Sequence, residues 1–204
     1  LPESEFQSFL ETKEMYNKVE FMRDNDNSNY SNLSFAIAKS VFSEGISLFA
    51  SFVMLLNFQR FGKMKGMCKV VEWSIRDESM HVDGMTQIFK KFCEEHPRIV
   101  TDDFKKDIYS MLRKVVKLED KFIDLAYGDS IIEDLDKDDV KQYIRYIADR
   151  RLLQLGFKPN YRVKENPLPW LDWVLNAPDH TNFFENRVTE YEVGGLKGDW
   201  SDVY

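Results

Sequence analysis

Between Ser40 and Gln59 the chain carries one charged residue, Glu44. Around it stand Leu33, Phe35, Ile37, Val41, Ile46, Leu48, Phe49, Phe52, Val53, Leu55 and Leu56. The segment Ser31 to Arg60 therefore predicts one long helix, closed by Phe61 and Gly62, because glycine is the usual residue just past a helix end. A helix that is apolar on most of its sides belongs inside a bundle. Its longest apolar run, Ile46 to Leu56, is eleven residues with two serines, short of the ~20 that span a bilayer. A lone carboxylate in such a helix is costly unless something meets it. Either a neighbouring serine or backbone group hydrogen-bonds Glu44, or Glu44 binds a cation.

The turn Arg76-Asp77-Glu78-Ser79-Met80-His81 offers a partner. On a helix, residues three apart lie roughly 60° apart around the axis and ~4.5 Å apart along it. Glu78 and His81 thus share a face, and a carboxylate and an imidazole converging there can share a metal ion. The plain alternative is a surface ion pair worth a few tenths of a kcal/mol. The flanking residues Val71, Ile75, Val82, Met85, Ile88 and Phe89 form an apolar stripe beside the pair, where unpaired charge is disfavoured. Carboxylate-bridged two-metal sites in four-helix bundles use Glu-x-x-His with a further Glu from another helix, and Glu44 is placed to be that residue. A second Glu-x-x-His is absent, since Cys93 precedes His96 by three and Ala177 precedes His180.

Helices dominate the rest of the chain. One is expected from Glu5 to Met22, with Ser4 as cap, followed by a polar loop from Arg23 to Asn32. Met64 to about Glu95 forms a third helix, stopped before Pro97. Thr101 caps a fourth that runs to about Tyr127, with Asp102 and Asp103 at its positive end. Asp136 to Leu155 makes a fifth, ended by Gly156, and Trp170 to Asn176 is compatible with a short one. This is an all-α pattern. The formal net charge of −7 argues against a nucleic-acid-binding surface. Cys68 and Cys93 lie twenty-five residues apart on one predicted helix, so they do not pair and read as packing thiols.

Three blocks carry a family resemblance. Glu44-Gly-Ile-x-x-Phe49 followed by Arg76-Asp77-Glu78-x-x-His81 resembles the small, radical-generating subunit of class I ribonucleotide reductase. Tyr143 to Phe157 resembles that family's late helix, and Thr181 to Tyr191 its C-terminal signature. The resemblance implies a ferritin-like helical bundle in which Glu44, Glu78 and His81 hold half of a dinuclear metal centre. The metal is expected to be iron, with manganese or a mixed manganese–iron pair as alternatives. The centre activates oxygen and generates a radical, which the large subunit uses to reduce ribonucleotides. Asp77 matches the carboxylate that orients a metal-bound histidine and links outward to a tryptophan, both of which belong to the part this sequence lacks, and Tyr191 matches the tyrosine that relays the radical between subunits. Leu48 and Phe52 lie on the face of Glu44 and would wall the oxidant, while Ser74 stands where many relatives carry a bulkier apolar residue.

The family also has an earlier helix pair with the remaining ligands, which this sequence lacks. The chain resembles roughly the C-terminal three-fifths of such a subunit. The expected organisation is a helical domain over 1–192 and a flexible tail over 193–204. That tail would dock on the large subunit through Trp200, Val203 and Tyr204. The expected partners are the N-terminal half of the small subunit, the large subunit, and a second complete small subunit in a homodimer. Neither nucleic acid nor membrane is expected, and the expected location is cytoplasmic. The rival readings are another ferritin-like di-metal oxidase or a non-catalytic helical scaffold.

Overall fold

The computed structural model describes residues 8–24, 26 and 28–176, with side chains to Asp172. A short 3-10 turn, Ser8–Glu11, leads into α1, Lys13–Arg23. Then come α2, Tyr30–Ile46, and α3, Phe49–Arg60. The longest element is α4, Lys65–Glu95, followed by a 3-10 turn, Pro97–Ile99. The chain continues with α5, Asp102–Tyr127, α6, Lys137–Gln154, and α7, Pro169–Asn176. Among the described residues there is no strand, only an isolated bridge between Ile132 and Leu135.

Local chemistry sets most boundaries. Asn29 caps α2 by accepting from the Asn32 amide at 2.9 Å. Thr101 caps α5 through Phe104 at 3.1 Å, as its sequence predicts. Asp136 caps α6 through Asp138 at 2.7 Å. Gly156 takes φ +89°, its amide donates to Leu153, and the Phe157 amide donates to Leu152 at 2.8 Å. That paired closure satisfies the last carbonyls of α6 and needs a left-handed residue.

α2 is the central helix. It packs most extensively on α4 and also against α5 and α6. Ala38, Val41, Phe42 and Ile46 of α2 and Ala50 of α3 have no exposed surface. They meet a core that includes Ile108, Leu112 and Ile123 of α5 and Ile144, Ala148 and Leu152 of α6. The stretch Tyr30–Arg60 is long and apolar enough by composition to cross a membrane, but its most apolar window is 56% buried within the bundle. It is a core element here.

Two expectations are corrected. Ser4 and Glu5, the expected cap and start of the first helix, lie outside the described residues, and within them residues 8–11 are a 3-10 turn and the α-helix begins at Lys13. The single helix expected from Ser31 to Arg60 is broken at Ser47 and Leu48. The break coincides with tertiary contacts to its freed carbonyls. The Gly45 carbonyl accepts from Arg151 Nε at 3.2 Å, and the Ser47 carbonyl accepts from Lys18 Nζ at 2.8 Å. Side chains that insert into the helical ladder are a standard cause of such breaks.

Candidate metal centre

Glu44 lies near the C-terminal end of α2, and Glu78 and His81 lie midway along α4. The packing of α2 on α4 brings the three together. Their candidate donor atoms all fall within 4.8 Å of one another. His81 Nδ1 stands 3.6 Å from Glu78 Oε2 and 3.8 Å from Glu44 Oε2. These separations exceed hydrogen-bond length. Ser40, one turn before Glu44, donates to Glu44 Oε1 at 3.0 Å. The serine partner considered from sequence is therefore real, but it serves only one oxygen.

Glu44 Oε2 and Glu78 Oε2 are both shielded from solvent and have no hydrogen-bond partner. Other enclosed carboxylates of the bundle are accounted for differently. Asp149 accepts from the amides of Asn160, Tyr161 and Val163 at 2.7, 2.8 and 3.0 Å, and so pins the loop after α6. Glu119 gives one oxygen to Lys18 at 2.6 Å, though its Oε1 is unpartnered. At Glu44 and Glu78 two orphaned anionic oxygens face one imidazole. Burial, reinforced by the charge of Glu44, pushes the Glu78 carboxyl above its ordinary range, against the pull of His81. Hard anionic oxygens with an imidazole are the donor set that iron, manganese and zinc accept. The residues fit a divalent metal.

His81 is half-exposed, so the cluster is open on one side. Asp77 also lies on that side, 62% exposed, with Oδ1 3.7 Å from His81 Nε2. A groove of about 510 Å³ runs along α2 beside the cluster, lined by Ile37, Ser40, Ser43, Glu44, Leu48 and Met85. Leu48 thus stands beside Glu44 as expected. Phe52 instead packs edge-on against Phe49, ring centroids 5.7 Å apart. Ser74 turns its hydroxyl back to the Val70 carbonyl at 3.1 Å. Cys68 is buried, with its thiol toward the Leu55 carbonyl, and burial raises both cysteine thiols. Both are free, as expected. Tyr191 and the 193–204 tail lie outside the described residues.

Sequence reasoning missed Lys18, Glu119 and Arg151, which gather around the break next to Glu44. A signal was available for Glu119, which lies four residues from both Val115 and Ile123 on the apolar face of α5.

A helix bundle that directs two carboxylates and a histidine toward one point has the arrangement that carboxylate-ligated metal sites in helix bundles use. Comparison with known proteins narrows this. Residues 2–167 match the family described as ribonucleotide reductase, small chain, and the chain belongs to that family. It is 42% identical, over 98% of its length, to a protein of invertebrate iridescent virus 3 named as a ribonucleoside-diphosphate reductase small subunit. It is 34% identical over 76% of its length to the ribonucleoside-diphosphate reductase subunit beta of Chlamydia pneumoniae. A crystal structure assigned to a class I ribonucleotide reductase of Bacillus halodurans superposes with TM-score 0.78 at 27% identity, over 84% of this chain and 65% of that one. The fold is the ferritin-like helical bundle of these structures. The chain spans 58% of the viral relative's length and 44% of the chlamydial one's.

Proposed function

We propose that this chain is the C-terminal part of a ribonucleoside-diphosphate reductase small subunit and supplies half of its dinuclear metal centre through Glu44, Glu78 and His81. The observation that carries the reading is the pair of shielded, unpartnered oxygens, Glu44 Oε2 and Glu78 Oε2, turned toward His81. When bound, iron or manganese supplies the oxygen chemistry that yields the radical passed to the large subunit. The protein's part is to hold the donors ready. Ser40 fixes Glu44 Oε1, which leaves Oε2 free to turn inward. Each remaining donor is set by the helix that carries it, so no loop must order before binding. Asp77 stands 3.7 Å from His81 Nε2, and its role by resemblance is to orient a metal-bound histidine of the N-terminal half.

Three donors fall short of the four to six that each divalent ion needs. The remaining ligands come from an N-terminal half, as a separate chain or as the rest of a longer one. Tyr191 relays the radical to the large subunit, the 193–204 tail docks there, and complete small subunits pair as a cytoplasmic homodimer. Titration of residues 1–204 with Co²⁺ or Mn²⁺ tests the site. At most one ion should bind, weakly, and Glu78→Ala and His81→Ala should each abolish binding. Tight binding of two ions, or binding indifferent to both substitutions, would show the ligand assignment to be wrong.

A further inference from the structure

The break between α2 and α3 begins three residues past Glu44 and is held by side chains from other helices. A helix break frees carbonyls at one end and amides at the other. Leu48 gives the first turn of α3 no side-chain cap. The Ser47 carbonyl accepts from Lys18 Nζ at 2.8 Å, and the same ammonium donates to Glu119 Oε2 at 2.6 Å. The Lys18 side chain is 9% exposed and that of Glu119 is fully buried. Burial raises the Glu119 carboxyl, and Lys18 and the amide of Ala50, in the first turn of α3, oppose that rise by favouring its ionised form. A cation thus meets the negative end of α2, and an anion sits by the positive end of α3.

Buried ion pairs are seldom the most stabilising solution, since apolar residues of like volume often do as well. An apolar pair cannot, however, supply a donor for the Ser47 carbonyl or a charge for the amides of α3. The position of the pair is also telling. It spans 101 residues of sequence and joins α1 to α5, neither of which contributes to the metal cluster.

We infer that Lys18 and Glu119 are positioning residues that fix the break at Ser47–Leu48 and thereby set Glu44 opposite Glu78 and His81. The inference rests on the reading of Glu44 as a metal ligand. The Ser47 amide donates to the Ser43 carbonyl at 3.1 Å, so anchoring Ser47 anchors the turn that contains Glu44. Moving the break by one residue would turn α2 against α3 by roughly 100°. Glu44 would then leave the face it shares with α4.

The test replaces the pair by apolar residues, Lys18→Met with Glu119→Leu, in residues 1–204. Amide hydrogen exchange at residues 48–51 is followed without metal, Co²⁺ affinity by absorption titration, and helix content by circular dichroism. The inference predicts native helix content, faster exchange confined to 48–51, and Co²⁺ affinity lowered by about 10- to 100-fold. Lys18→Arg, which keeps a donor, should restore near-native affinity. Native exchange at 48–51 overturns the inference, and so does native Co²⁺ affinity. Faster exchange throughout the bundle also overturns it, since a pair that merely added stability would act everywhere. Should the wild-type chain bind Co²⁺ with no dependence on His81, the metal reading fails, and exchange at 48–51 still decides whether the pair holds the break. If the double variant does not fold, Glu119→Gln preserves shape and is read by the same measurements.

Discussion

Gly45→Ala places a methyl group against the Arg151 side chain of α6. A Cβ built at Gly45 would lie 2.5 Å from Arg151 Nε, 3.0 Å from its Cδ and 3.2 Å from Val82 Cγ2. Arg151 is not free to retreat. Its Nε donates to the Gly45 carbonyl at 3.2 Å, its Nη1 donates to Gln154 at 2.8 Å, and its guanidinium lies over the Phe49 ring. If Arg151 stays, overpacking costs about 1–3 kcal/mol. If it swings away, the charge-assisted bond to the Gly45 carbonyl is lost, at about 1.5–3 kcal/mol. Alanine in a helix regains about 1 kcal/mol over glycine. The net expectation is destabilisation by about 1 kcal/mol, a fall in Tm of roughly 2–4 °C for a chain of this size. Urea denaturation followed by circular dichroism measures it. In an Arg151→Ala background the clash is gone, and Gly45→Ala should become neutral or stabilising. The reasoning is refuted if Gly45→Ala is harmless with Arg151 present, or if its cost is the same without Arg151.

Burial pushes Glu119 up to about 7 despite the pull of Lys18. An acid raised in the folded state contributes stability that is complete below its unfolded pKa and lost as pH rises through the folded one. Wild-type stability relative to Glu119→Gln should therefore fall by about 3 kcal/mol between pH 4.5 and 8, and parallel profiles in urea denaturation would contradict this. Asp149→Ala strands the amides of Asn160, Tyr161 and Val163 and should cost about 2–4 kcal/mol in the same assay. In the complete reductase, Tyr191→Phe should leave metal content and radical yield intact yet abolish nucleotide reduction, while deleting 193–204 should weaken large-subunit affinity. Normal turnover by Tyr191→Phe would reduce Tyr191 to a packing residue.

Elements whose ends are fixed by adjacent residues were legible in the sequence. Thr101 starts α5 through an amide three residues on, and Gly156 closes α6 through bonds within its last turn. The Glu78–His81 pairing was legible for the same reason, because helical periodicity alone decides it. The break at Ser47 was not. The side chains that meet it are Lys18 and Arg151, 29 residues from Ser47 and 106 from Gly45 respectively, and neither carries a local mark of that contact. Glu119 was hidden among the charges Lys117, Asp120 and Lys121, although its register with Val115 and Ile123 put it on the buried face. Glu44 stood out because its setting is the opposite, a single charge in an apolar helix.

The most direct test of the account is elemental analysis of the small subunit completed by the segment that carries the remaining ligands. The account predicts about two iron or manganese ions per complete site. Glu78→Ala and His81→Ala should each lose the metal while keeping native helix content by circular dichroism. Full metal occupancy in either variant would contradict the assignment of Glu44, Glu78 and His81 as the half-site this chain provides.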